Sequence, residues 1–153
     1  MRKKSLFIAI LSLSSVIIIG VTSCKREKGC KEWEQTPIEP QALLNIGWEC
    51  VGFVNVKSCI IRKCGNSIVF GEDGKLGGAS CNILCGNYNI DFITGNINIS
   101  IGAVTQVLCP PEMNEDIYLE TLNNVHFFSL QGNELRLYYN NNKNYLLFKG
   151  HQL

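Results

Sequence analysis

Apolar residues along most of this chain alternate with polar ones over short spans and stop at Gly, Asn or Asp. The clearest case is Tyr88-Asn89-Ile90-Asp91-Phe92, a turn at Thr94-Gly95-Asn96, and then Ile97-Asn98-Ile99-Ser100-Ile101. Period two on both sides of a turn predicts two half-buried strands. Trp48 to Val56 is apolar enough for another strand, and Ser67 to Phe70, Gly71-Glu72-Asp73-Gly74 and Lys75-Leu76 read as a hairpin. Val125 to Leu130, Leu135 to Tyr139 and Tyr145 to Phe148, separated by Gln131-Gly132-Asn133 and Asn140-Asn141-Asn142-Lys143, predict a three-strand meander. One stretch changes period. After Pro110-Pro111-Glu112, the residues Met113, Ile117, Tyr118, Leu122 and Val125 recur at helical spacing, and Asn123-Asn124 ends the helix. Proline costs least in a first turn, and a carboxylate there favours the positive end of the helix dipole. About eight strands and one amphipathic helix predict a mainly β (α+β) fold. The expected form is a small antiparallel barrel-like sheet with the helix covering an open end or edge.

The N-terminus follows another logic. Arg2-Lys3-Lys4 is basic, the chain is apolar from Leu6 to Val21, and Val21-Thr22-Ser23-Cys24 follows. Positive, apolar and small, in that order, predict a signal peptide. The Cys directly after Ser23 resembles the lipobox of bacterial lipoproteins, whose thiol is acylated and becomes the first mature residue. A spanning anchor fits less well, because the apolar run falls short of the roughly 20 residues a helix needs to cross. Ser12, Ser14 and Ser15 also interrupt it. The expected organisation is a lipoprotein signal peptide over 1–23, a lipidated tether over 24–41 and a folded domain over 42–153. The tether is charged, carries Pro37 and Pro40, and lacks apolar periodicity. Trp33 within it either packs back on the domain or rests at the headgroup level.

The precursor has a formal net charge of +1, and Arg2, Lys3 and Lys4 leave with the signal peptide, so nothing suggests nucleic acid. Of eight cysteines, lipidation of Cys24 leaves an odd set: Cys30, Cys50, Cys59, Cys64, Cys81, Cys85 and Cys109. An exported chain meets oxidising conditions, so disulfides are the first expectation. Cys59 with Cys64 across a short loop is one candidate pair, and Cys30 in the tether is the candidate odd thiol. Cys59-x4-Cys64 and Cys81-x3-Cys85 superficially suggest a four-thiolate zinc site, but this spacing is borderline for ligand pairs and an exported chain competes poorly for zinc. No Cys-x-x-Cys occurs to open a redox helix. His126 falls in a predicted strand and His151 in the tail, neither beside a nucleophile signature. No catalytic residue, metal or cofactor is expected.

Several stretches, in order, resemble the META domain (HslJ-like) family. They are Trp48-Glu49-Cys50-Val51-Gly52, Ile68-Val69-Phe70-x-Glu72-Asp73-Gly74-Lys75-x-x-Gly78, Cys81-Asn82 with Gly86 and Tyr88, and Thr105-x-x-x-Cys109. The helix to Leu122 and the closing Leu135-Arg136-Leu137 and Leu146-Leu147-Phe148 complete the set, which spans about Leu43 to Leu153. Ser80 stands where the family usually has Gly, and Cys59, Cys64 and Cys85 are additional. The resemblance implies a small β-rich fold in the envelope, pairing of Cys81 with Cys109, and no agreed reaction. It also draws attention to Asn82 as part of a candidate functional loop, although Asn commonly serves to hydrogen-bond loop backbone.

The expected protein is therefore a non-enzymatic envelope lipoprotein. Acyl chains on Cys24 hold it to a membrane, and it acts by contact with another envelope protein in envelope integrity or stress tolerance. Lys25 is not the Asp that signals inner-membrane retention in many Gram-negative lipoproteins, which favours the outer membrane. The alternatives are a barrel that takes a small ligand or peptide in its mouth, and a cysteine-based redox or metal-binding protein.

Overall fold

A computed structural model describes residues 37–57, 61–62 and 64–152. Cys24, Cys30, Trp33 and Cys59 lie outside the described residues. Among these residues, nine strands form one antiparallel sheet: β1 (Ile46–Asn55), β2 (Ile61–Arg62), β3 (Ser67–Phe70), β4 (Lys75–Ala79), β5 (Ile83–Ile90), β6 (Ile97–Val104), β7 (Phe127–Gln131), β8 (Glu134–Tyr139) and β9 (Asn144–Gln152). Eight of them run in the order β6-β5-β4-β3-β1-β9-β8-β7, and the short β2 pairs with β1 beside that path. The two ends of the path meet at a bridge between Asn96 and Phe127. There the Ile97 N–H donates to the His126 carbonyl at 3.2 Å and the Phe128 N–H to the Gly95 carbonyl at 2.9 Å. The sheet is thus curled into the expected barrel-like form. The one α-helix among the described residues, α1 (Glu115–Asn123), packs on β6.

The interior is filled by the protein's own side chains. Trp48, Phe70, Phe128, Phe148 and Tyr118 are all fully buried, with Leu43, Leu84, Leu135 and Leu137 among them. Small barrels of this strand number leave room for side chains and little else. Entry of the chain is fixed by Trp48, whose indole Nε1–H donates to the Leu43 carbonyl at 2.9 Å after a single 3-10 turn at Pro40–Ala42.

β1 does not keep one alternation along its length. Trp48 and Cys50 face the core, the register against β9 shifts between Cys50 and Gly52, and beyond that bulge it is Phe53 that packs on the core. An extra residue in one strand reverses which side chains point inward. Val54 therefore turns outward.

Several elements differ from the sequence expectation: β2 was not expected, and His126 lies just before β7 and not within a strand. β5 starts at Ile83, well before the alternation that begins at Tyr88. Close backbone approach shapes this stretch: a Cβ at Gly78 would meet Ser67 and Leu84, and one at Gly86 would meet Ser100. The helix starts at Glu115 and not at the prolines. Pro111–Met113 forms a separate 3-10 turn, and Asn114, with φ of 48°, breaks the path between the two. Asn tolerates that left-handed conformation better than most residues.

Candidate functional site

The polar residue singled out in the sequence, Asn82, lies at the corner between β4 and β5, where the segment after β6 returns across it. Its amide is planar and offers donors and an acceptor on opposite sides, and both are used. The Oδ1 accepts from the Thr105 hydroxyl at 2.9 Å and from the Val107 N–H at 2.7 Å. The Nδ2 donates to the Val107 carbonyl at 3.1 Å and to Oε2 of Glu115 at 2.6 Å, while the Asn82 N–H donates to Oε1 of Glu115 at 2.9 Å. The Thr105 hydroxyl also accepts from the Ile83 N–H at 2.9 Å. One residue thereby joins a corner, a loop and a helix.

Glu115 opens α1, where the exposed N–H groups favour a carboxylate. Burial raises its pKa, but the hydrogen bonds from the Asn82 side chain and the Asn82 backbone outweigh that and hold it below the ordinary value. No separate signal in the sequence marks this partner, because the helix dipole already accounts for an acid at that position.

A disulfide closes the same corner. Cys81 and Cys109 are bonded, with Cα atoms 5.8 Å apart, and the Cys109 sulfur lies 3.1 Å from Oε2 of Glu115. The expected pair of Cys59 with Cys64 is corrected: Cys64 is bonded to Cys50. The reason is the path after β2, which brings the Asn66 carbonyl to the Cys50 N–H at 2.7 Å and so lays Cys64 against β1. Cys85 is a free, exposed thiol. Two of the four cysteines weighed as zinc ligands, Cys64 and Cys81, are thus consumed in disulfides. Among the described residues no group of three or more His, Cys, Asp or Glu side chains is placed to hold a metal.

This clamp presents an apolar prominence. Leu108 is 97% exposed and Val107 63%, with Ile83 at 62% and Ile117 at 53%. Pro110 and Pro111 stiffen the path, and a cleft of about 480 Å³ runs from Val107 and Leu108 past the prolines to Asp116 and Ile117. Apolar side chains fixed in water by a disulfide and a saturated amide are preorganised for contact.

The histidines stand elsewhere. His126 Nε2 lies 3.0 Å from the Asn142 amide oxygen, beside a polar cleft of about 560 Å³ between α1 and the β8–β9 turn. His151 pairs with Glu49 at 3.1 Å on the surface, where both are largely exposed. Among the described residues no helix is long and apolar enough to cross a membrane.

A curled antiparallel sheet with one helix against it and a stapled corner defines a small β-rich scaffold. The META domain family profile matches residues 41–152, and the chain belongs to that family. Its fold is similar to a DUF4847 family protein from Bacteroides vulgatus, at 20% identity and a TM-score of 0.59, covering 74% of this chain and 97% of that one. It is also similar to a protein from Burkholderia xenovorans, at 18% identity and a TM-score of 0.61, covering 84% and 99%. No curated protein matches the chain.

Proposed function

We propose that the mature protein is an envelope lipoprotein, anchored by acyl chains on Cys24 in the outer membrane, whose META domain acts without catalysis through contact with another envelope protein. Support for the anchor comes from Val21-Thr22-Ser23-Cys24 behind a basic and apolar leader. The observation that carries protein contact is the prominence at Leu108, 97% exposed yet fixed from both sides by Cys109 and by the Asn82 clamp on Val107. Asp116 on its rim favours a partner segment that presents apolar side chains beside a Lys or Arg. A role in envelope integrity under stress is the expected setting.

The test is a photo-crosslinking residue at position 108 of the full-length protein, expressed in cells. A discrete protein adduct that is lost in Ile117→Asp, and whose crosslinked peptide is apolar and basic, supports this reading. Adducts only to lipid, or a product unchanged by Ile117→Asp, overturn it.

A further inference from the structure

Three consecutive residues of the β8–β9 turn, Asn140, Asn141 and Asn142, are left-handed, with φ of 52°, 53° and 61°. The β3–β4, β5–β6 and β7–β8 turns reach that conformation with Gly74, Gly95 and Gly132. Glycine adopts it at no steric cost, so three asparagines in a row keep side chains where the backbone alone does not ask for them. One of the three has a partner in the fold. The Asn142 amide oxygen lies 3.0 Å from His126 Nε2, which sets a neutral imidazole with its proton on Nε2 and leaves Nδ1 to accept. The side-chain amides of Asn140 and Asn141 are exposed, carry no hydrogen bond among the described residues, and line the polar cleft of about 560 Å³.

Both walls of that cleft are fixed. On the turn, the Val56 N–H donates to the Lys143 carbonyl at 3.0 Å, the Lys143 N–H to the Asn140 carbonyl at 3.1 Å, and Asn55 Nδ2 to Asn144 Oδ1 at 2.8 Å. The opposite wall is the last turn of α1. There Asn124 Nδ2 donates to the Glu120 carbonyl at 2.8 Å, which leaves Asn124 Oδ1 and the Glu120 carboxylate to accept. The His126 N–H donates to the Tyr138 carbonyl at 3.1 Å and joins the two walls, while Tyr139 adds a ring to the lining. Polar groups held in place before a ligand arrives lose little entropy when it binds.

The lining selects its ligand partly by exclusion. Glu120 is the one charged residue in it and no Lys or Arg faces it, so phosphates and carboxylates are disfavoured. Among the described residues no group of three or more His, Cys, Asp or Glu side chains is placed to hold a metal. Apolar ligands need apolar walls, and here amides stand in their place. An uncharged ligand dense in hydroxyls fits. A planar amide offers two donors and an acceptor, a carboxylate accepts at both oxygens, and each can serve two neighbouring hydroxyls. The face of an aromatic ring takes up the C–H side of such a ligand. The volume lies within the range of about 300–1,000 Å³ found for small-ligand sites.

We propose that the cleft between α1 and the β8–β9 turn binds a neutral sugar ring through Asn140, Asn141 and Glu120, with Tyr139 against the ring. This site shares no residue with the cleft at Leu108 and goes beyond protein contact there. Neutral sugar rings occur as free saccharides and in the glycan strands of a cell wall, and the chemistry of recognition is the same for both.

The test titrates maltotetraose and chitotetraose separately into isotope-labelled full-length protein in detergent micelles and follows backbone amide shifts. The expected result is saturable shifts at Glu120, His126, Asn140 and Asn141 with at least one of the two. The double variant Asn140→Gly, Asn141→Gly keeps the left-handed turn and removes both amides, so the fold stays and affinity falls about tenfold. Glu120→Ala, on the other wall, should weaken binding several-fold. Co-sedimentation with purified wall sacculi separates the sources. Pelleting that is lost in the double variant assigns the ring to a glycan strand, and saturable shifts without pelleting assign it to a free saccharide. That arm rests on the envelope reading; the titration does not. Absence of saturable shifts with both saccharides, shifts confined to other residues, or affinity unchanged in the double variant overturns the proposal. So does a response to spermidine or calcium chloride with none to either saccharide.

Discussion

Asn82 shows how one side chain can hold a site without joining it. Its donors and acceptors are matched to Val107, Thr105 and Glu115, and only 5% of it is exposed. Asp at this position would set a second carboxylate against Glu115, and Ala would strand the Val107 N–H. We expect Asn82→Ala to lower unfolding free energy by about 2–3 kcal/mol in urea titration, from several lost hydrogen bonds of about 1 kcal/mol each. The acid has its own signature. The pKa of Glu115 is lowered from 4.5 in the folded protein, so its contribution to stability is complete above 4.5 and is lost as pH falls through the lower folded value. A carboxylate NMR titration should find that lowered midpoint, and Asn82→Ala should move it upward. The pair Cys81-Asn82 stands out in the sequence as a motif, but the partners of Asn82 lie more than twenty residues away and only the fold brings them together.

At the scale of elements, strands with clean alternation were legible and those shaped by close backbone approach were not. Ile97 to Ile101 reads directly as β6, whereas the first half of β5 contains Cys85 and Gly86 at a bulge. Gly86 is required there. A Cβ would run into the Ser100 carbonyl oxygen and lie 3.1 Å from the Ile101 Cα, both parts of a neighbouring backbone that cannot rotate away. Gly77, one strand over, has open space where its Cβ would stand. Gly86→Ala should therefore cost about 3 kcal/mol by thermal or urea unfolding, while Gly77→Ala stays within about 0.5 kcal/mol. The helix was also legible in kind but displaced in position. Two prolines suit a first turn, yet the left-handed Asn114 assigns them to a separate 3-10 turn.

For the whole molecule, the two disulfides of the described residues have different work. Cys50–Cys64 closes 14 residues beside the β1 bulge, and Cys81–Cys109 closes 28 residues from the β4–β5 corner to the approach of α1. Cysteine spacing could not choose between Cys50 and Cys59 for Cys64, because the path that lays Cys64 against β1 carries no sequence mark. Nor could alternation reveal that Val54 and Tyr145, on the face turned away from the core, are buried, since period two describes stacked aromatic rings and a wet surface equally well. On loop-closure entropy, losing Cys81–Cys109 should cost about 3–4 kcal/mol and losing Cys50–Cys64 about 3 kcal/mol. Stability alone barely separates them, but contact should. Of the two, Cys81–Cys109 ties down the loop that carries Val107 and Leu108, so its loss restores to that loop the freedom that the clamp removes. In a Cys81→Ala, Cys109→Ala protein kept well below its unfolding transition, the adduct formed through position 108 should fall several-fold. In Cys50→Ala, Cys64→Ala at matched folded fraction it should remain. Equal loss in both would mean that the staple serves the fold as a whole, and that Leu108 is exposed without being held for a partner.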